Sequence, residues 1–254
     1  MKIAVTDEGE VAKTIAVYLG KSYEVIIVDT PSSVIREKPN VIIHTNEIPM
    51  NDSIQNPPLA WTFNTWYAIN IARAGSKIGS VNIYLSTFMV YDGKKGYYKE
   101  HNTPSPLNYY GLSKLVAETT IMGLGNYLIL RLGALFSLSY KGFLYPFIRA
   151  SVKGKILRCN KNFYLSIIST QSLAKVIKHF IEKDARGVIN VGSNRISMLD
   201  FCNYLSDVFG NEIVEVNGSM RDFSLDDWLL RAYNVKINSK DNIMSLVEQK
   251  LFNN

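Results

Sequence analysis

Ile3-Ala4-Val5-Thr6-Asp7-Glu8-Gly9-Glu10-Val11 stands near the start of the chain, and its reading decides the fold. Residues 3–5 form a short apolar run of the kind that makes a buried strand. A polar turn follows, from Thr6 to Gly9. Val11, Ile15, Tyr18 and Leu19 then recur at helical spacing, and Gly20 stops the helix. Residues 23–28 read as a second strand that ends at Asp29. The whole strand–helix–strand unit takes about thirty residues, the usual size of a parallel crossover.

Working outward, the same alternation continues. Pro31, Ser32 and Ser33 break the pattern, and Val41-Ile42-Ile43 is a third apolar strand. Residues 51–58 read as a loop, and 59–74 as a long helix closed by Gly75. A buried strand covers 81–85 and ends at Ser86-Thr87. A polar loop spans 92–108, a helix 109–122 and a strand 127–130. A helix over 171–181 and a strand over 188–191 follow. Ser197 with Asp200 forms a capping box that starts a helix over 198–209.

Strands alternating with helices predict an α/β fold: a doubly wound parallel sheet with helices on both faces. The sheet domain is expected from residues 1–135 plus about 166–192. A small substrate-type lobe is expected from about 140–165 plus 193–254. Ligands in such sheets bind outside the carboxyl ends of the strands. Thr6, Asp29, His44 and Thr87 all stand at such ends.

Composition narrows the class. The 254 residues are 47% hydrophobic and 20% charged, which suits a globular protein. Net charge is +6, but the densest basic cluster is only Lys94, Lys95 and Lys99 in a loop. No nucleic-acid partner is expected. Cys159 and Cys202 are too few for a disulfide scaffold or a four-cysteine zinc site, and they suit a reducing compartment. His44, His101 and His179 show no ligand spacing, so no metal is expected. Asp7, Glu8 and Glu10 stand where a signal peptide needs an apolar run. No stretch of about 18 uncharged apolar residues occurs, so no membrane partner is expected either. The expectation is a cytoplasmic protein.

Tyr110-Gly111-Leu112-Ser113-Lys114 carries the strongest chemical signal. A tyrosine and a lysine four apart on a helix share one face. A nearby ammonium favours phenolate, lowers the tyrosine pKa and makes it an acid or base near neutral pH. Chance alone supplies about one such pair in a chain this rich in both residues. Indeed Tyr91 and Lys95 make a second pair, in a loop that cannot align them. Context favours the first pair. Ser86-Thr87 ends a strand about two dozen residues upstream, and a hydroxyl there can hold a carbonyl beside Tyr110.

With these residues the chain resembles the extended short-chain dehydrogenase/reductases, most closely dTDP-4-dehydrorhamnose reductase. Residues 86–93 are similar to that family's Ser-Thr-Asp-Tyr-Val-Phe-Asp-Gly, and residues 108–114 to its catalytic helix. The strands around Arg131 and over 187–191 resemble it more loosely. The resemblance implies a Rossmann-type sheet and reduction of a ketone on a nucleotide sugar by NAD(H) or NADP(H). Tyr110 would give a proton to the carbonyl oxygen. Lys114 would lower the pKa of Tyr110 and hold the nicotinamide ribose, and Thr87 would orient the carbonyl. Gly9, Glu10 and Val11 would meet the pyrophosphate at the helix start, and Asn64 would lie near the cofactor. Asp29 would bind the adenosine ribose, which favours NAD over NADP.

The departures from the family point the other way. Its first turn carries three glycines, where this chain has Thr6, Gly9 and Ala12. Asp7 and Glu8 sit in the turn that would face the pyrophosphate, and two unit charges ~5 Å apart repel by about 3 kcal/mol at an effective dielectric of 20. Small residues usually follow the third strand; His44-Thr45-Asn46-Glu47 stand here instead. Phe88, Ala134 and Ser219-Met220 replace substrate-side residues. Dinucleotide binding is therefore expected to be weak or absent. Two readings stay open. One is an active reductase. The other is a catalytically silent relative that acts as a binding or regulatory subunit, similar to the regulatory subunit of methionine adenosyltransferase, with a homodimer or protein partner.

Overall fold

The computed structural model describes residues 1–252. Five strands, β1 (Lys2–Val5), β2 (Glu24–Ile27), β3 (Val41–His44), β4 (Val81–Thr87) and β5 (Tyr127–Leu132), join Gly187–Val191 in one sheet. Their order is Gly187–Val191, β5, β4, β3, β1, β2. Every neighbouring pair is parallel, with Val5 opposite Ile27 on one side and Ile43 on the other. The order of strands reverses between β1 and β3. A crevice opens at the carboxyl ends of such a pair, because successive crossovers leave on opposite faces. This is the expected doubly wound α/β architecture.

The opening unit folds as its periodicity predicts. Helix α1 (Glu10–Leu19) buries Val11, Ala12, Ile15 and Leu19, and Tyr18 packs half-buried beside them. The next segment differs from expectation. Pro31 and Ser32-Ser33 do not merely break the pattern; they start helix α2 (Pro31–Glu37). The Thr30 hydroxyl accepts from Ser33 N at 3.1 Å, and the Ser33 hydroxyl accepts from Thr30 N at 3.1 Å. That reciprocal cap outweighs the breaker reading of proline, whose missing N–H is harmless in a first turn.

Residues 51–58 are likewise not a loop. They form helices α3 (Met50–Gln55) and α4 (Pro57–Ala60), hinged at Asn56, whose side chain accepts from Leu59 N. A π-helical stretch, Trp61–Tyr67, leads on into helix α5 (Ala68–Lys77). Gly75 therefore lies inside the helix instead of closing it. A Cβ there would come within 2.5 Å of Ile42 Cδ1 and 3.2 Å of Asn82 Oδ1. The glycine lets α5 press close against the sheet.

The smaller lobe gathers the helices Tyr145–Val152 and Met198–Phe209 and the short strands between residues 157 and 222 around Phe136, Phe201 and Leu205. Ser197 and Asp200 exchange the expected capping bonds, at 3.0 and 2.8 Å. Cys159 and Cys202 were expected as thiols. They are joined in a disulfide, because strand Leu157–Asn160 runs beside helix Met198–Phe209 and leaves their Cα atoms 6.5 Å apart. The last segment divides. Leu230 and Ile237 pack into the core of the large sheet, whereas Ile243 and Leu246 pack into the small lobe. Residues 253–254 of the expected lobe lie outside the described residues. Among the described residues no helix is long and apolar enough to cross a membrane, and no three His, Cys, Asp or Glu side chains group to hold a metal.

Candidate functional site

The end of β4 and the start of helix α6 (Tyr109–Gly123) build one side of the site. After Thr87 the chain makes a tight 3-10 turn, Phe88–Val90, and the Thr87 hydroxyl caps it by accepting from Met89 N at 3.2 Å. Asn108 caps α6 by accepting from Gly111 N at 2.8 Å. A Cβ at position 111 would run into the Met89 carbonyl oxygen. Glycine there is what lets α6 approach the turn and set Tyr110 beside Thr87. Lys114 follows one turn later on the same face. Thr87, Tyr110 and Lys114 line one cavity of about 160 Å³ at the carboxyl ends of β4 and β5. Exposure is 8% for Tyr110 and 1% for Lys114.

A buried network braces this side from behind. Ser86 donates to Glu118 Oε2 at 2.7 Å, and Arg131 from β5 pairs with Glu118 Oε1 at 2.5 Å. Arg131 also donates to the Tyr91 hydroxyl at 2.7 Å. Tyr91, the other tyrosine with a lysine four residues on, belongs to this bracing. Its hydroxyl donates to the Lys99 carbonyl at 3.0 Å, and burial pushes its pKa up to about 12. Lys95, in the loop, reaches Asn102 at 3.5 Å. Equal spacing gives unlike outcomes because only one pair is on a helix.

Lys114 does not act on Tyr110 as expected. Glu47, just beyond β3, stands between them. Its Oε2 accepts from the Tyr110 hydroxyl at 3.0 Å and from Lys114 Nζ at 3.2 Å, and its Oε1 accepts from the Tyr140 hydroxyl at 2.7 Å. Burial, with the Glu47 charge and hydrogen bond next, drives the Tyr110 pKa well above the ordinary phenol value; only a bond with Thr87 works against this. Tyr140 is shifted the same way, by burial first and then Glu47. The Lys114 ammonium also lies 4.6 Å from the Tyr84 ring centroid. The carboxylate, not the ammonium, dominates the electrostatics at Tyr110.

The other side comes from β1, α1 and β3. Thr6 opens the turn, and its side chain bonds away from it. It is buried, and its hydroxyl accepts from Thr45 N at 3.0 Å and Asn46 N at 3.1 Å, tying β1 to the end of β3. Asp7 Oδ1 accepts from the Thr45 hydroxyl at 2.6 Å, and its Oδ2 lies 2.8 Å from where a Cβ on Gly9 would stand. Glu8 is exposed. Gly9, Glu10 and Val11 line the cavity. Glu10 crosses it: Oε1 is bonded to the Ser137 hydroxyl, while Oε2 is buried without a partner. Of the two turn acids expected to repel a pyrophosphate, Asp7 stays in the turn and Glu8 turns to solvent.

Two expected cofactor residues lie outside the cavity lining. Asp29 is exposed at the end of β2, and Ser33 reaches its carboxylate at 3.4 Å. Asn64 is fully buried in the π-helical stretch. Its Oδ1 accepts from Ile48 N at 2.7 Å, and its Nδ2 donates to Ile48 O at 3.2 Å and Ser113 Oγ at 3.2 Å. It clamps the segment carrying Glu47 to α6. His44 lines the cavity but is 2% exposed, bonded through Nε2 to Asn82 at 3.0 Å. Burial pulls its pKa down to about 4. Sequence reasoning missed Tyr140 altogether, since nothing in its neighbourhood is periodic or motif-like. Glu47 had a signal: it is a carboxylate where the resembled family has small residues.

Comparisons with known proteins bear on the fold and the family. The model of the family described as RmlD substrate binding domain matches residues 15–221. A dTDP-4-dehydrorhamnose reductase from Clostridium acetobutylicum superposes with a TM-score of 0.89 at 21% identity, over 99% of this chain and 100% of that one. The dTDP-4-dehydrorhamnose reductase of Bacillus anthracis, in complex with NADP, gives 0.87 at 20% identity, over 98% and 99%. These establish the extended short-chain dehydrogenase/reductase fold. Methionine adenosyltransferase 2 subunit beta of Xenopus laevis is 36% identical over 86 residues, 34% of this chain. The match spans about a quarter of that relative, 26% of its length. On the family match, which covers most of the sequence, the chain belongs to the RmlD substrate binding domain family.

Proposed function

We propose that the protein is a nicotinamide-dependent reductase of a ketone on a nucleotide-linked sugar. One observation carries this reading: the Tyr110 hydroxyl and Lys114 Nζ converge on a single oxygen, at 3.0 and 3.2 Å, beside Thr87 in one cavity. Two donors aimed at one oxygen fit the hydroxyls of a nicotinamide ribose and the carbonyl of a substrate next to it. The dinucleotide would be held by Lys114 at that end and by Asp29 at the other. Bound there, it supplies hydride to the ketone carbon.

The chain's own residues supply the proton and the alignment. Thr87 positions the carbonyl oxygen. Tyr110, kept protonated by burial, is the donor to it. A tyrosine held protonated suits reduction, which consumes a proton, better than oxidation, which needs phenolate. Asp7 and Glu10 put carboxylates beside the helix start that would receive the pyrophosphate, so dinucleotide binding is weak, and Asp29 favours NAD(H) over NADP(H).

A second reading, a silent relative serving as a binding or regulatory subunit, draws support from the same carboxylate. Glu47 sets a negative charge against Lys114 and suppresses the ionisation of Tyr110. The partial likeness to the methionine adenosyltransferase beta subunit gives this reading a precedent.

Turnover separates the two. Oxidation of NADH or NADPH, followed at 340 nm with dTDP-4-dehydrorhamnose, should be detectable. Tyr110→Phe should cut kcat by at least ~10²-fold, the usual loss when a proton donor is removed. An unchanged rate in that variant sinks the assignment, and no turnover with either cofactor favours the subunit.

A further inference from the structure

Glu47 raises a question that the reductase reading leaves open. Each of its oxygens is engaged: Oε2 by Tyr110 and Lys114, Oε1 by Tyr140. Lys114 is almost wholly buried, whereas the Glu47 side chain keeps 18% of its surface exposed. Both residues line the cavity, and within it the carboxylate is bonded to the ammonium. It is also held from behind. Asn64 bonds both the N–H and the carbonyl of Ile48, the next residue, at 2.7 and 3.2 Å. A backbone fixed on both its polar groups delivers the side chain to one place. This preorganisation lowers the entropy lost when its contacts form.

We propose that Glu47 is a built-in competitor for the ribose end of a nicotinamide dinucleotide. It occupies the donors that the ribose hydroxyls would use, and the dinucleotide binds only as the carboxylate leaves Tyr110 and Lys114. Tyr140 is the anchor on the other oxygen, and it steadies the blocked arrangement. The competition acts at equilibrium. A dinucleotide that must displace a bonded carboxylate binds in proportion to the fraction of molecules in which the site is open. The proposal rests on the reductase reading, because it takes a dinucleotide as the ligand.

The test is calorimetric titration of the full chain with NADH and, separately, NADPH, for the unaltered protein, Glu47→Gln and Tyr140→Phe. Melting temperatures, taken in parallel, establish that each variant is folded. Glu47→Gln keeps the shape and removes the charge, so it should tighten Kd by about tenfold or more, equivalent to 1.4 kcal/mol. Tyr140→Phe should tighten Kd by roughly threefold, because it loosens the anchor and leaves the charge in place. Should Glu47→Gln fail to fold, Tyr140→Phe decides alone. Measurable binding that is equal or weaker in the variants overturns the competitor and leaves the reductase reading standing. No binding of either dinucleotide to any of the three folded proteins overturns both.

Discussion

The two sides of the cavity are built on different principles. The side from β4, α6 and β5 presents Ser86, Thr87, Tyr110 and Lys114 to the cavity and is braced by the buried Glu118 and Arg131. The side from β1, α1 and β3 turns its polar groups on one another, Thr6 to the end of β3 and Asp7 to Thr45. It then extends Glu10 and Glu47 across to the facing elements. The first side presents hydrogen-bond donors to the cavity, and the second bonds largely within itself, Glu10 Oε2 excepted. Tyr110 and Lys114 can face the cavity while the turn after β1 bonds within itself, because the two sit on separate strand–helix units.

That contrast can be broken most forcefully from behind the reactive side. Glu118 is wholly buried and Arg131 nearly so. Glu118→Ala leaves the guanidinium without its counter-charge, which should cost about 3–5 kcal/mol in chemical denaturation. A loss under 1 kcal/mol would show that the bracing is dispensable.

A perturbation away from both sides serves as the control. Reducing the Cys159–Cys202 disulfide, whose cysteines are 43 positions apart, should lower stability by about 2–4 kcal/mol. Because neither cysteine lines the cavity, dinucleotide affinity should hold. If reduction alters Kd, the two lobes are coupled and the contrast is drawn too narrowly.

His44 links the sides through pH. Its folded pKa of about 4 lies below the 6.5 of a free imidazole. The neutral ring is fully compatible with the fold above pH 6.5. Below it the unfolded chain takes up a proton that the folded chain refuses. Stability should therefore fall from pH 6.5 to 4, by up to about 3 kcal/mol from this group. His44→Gln should flatten that part of a melting-temperature profile, and an unaltered slope would remove His44 as the cause.

The self-contained side gives smaller effects. Thr6→Val removes the acceptor for two backbone N–H groups and should cost about 2 kcal/mol in urea unfolding. If it costs nothing, the tie between β1 and β3 is incidental. Asp7→Ala should tighten NADH binding by roughly tenfold or less, while Glu8→Ser, exposed, should leave it unchanged. Equal effects from the two substitutions would return the repulsion to general surface charge.

Much of the fold was legible in the sequence because it depends on local periodicity. The unit over residues 3–28, the strand at 81–85 and the helix carrying Tyr110 and Lys114 follow from apolar spacing and caps that neighbours along the chain supply. Where reading failed, a local signal had two meanings. Proline at 31 and at 57–58 marked helix starts instead of breaks, and Gly75 marked close packing instead of an end. The capping partners Ser33 and Asn56 were visible, but their strength against a breaker was not.

The sequence by itself determined that the sheet is parallel and doubly wound, that Thr87 ends a strand, and that Tyr110 and Lys114 share a helix face. Backbone geometry and side-chain period fix each of these over short distances. Only the tertiary structure decided what those side chains meet. Glu47 lies 63 residues from Tyr110 and Tyr140 lies 93 from Glu47, and no periodicity spans such gaps. The charge that governs Tyr110 therefore comes from another strand–helix unit. Electrostatic influence follows distance through space and burial, and the packed sheet supplies both.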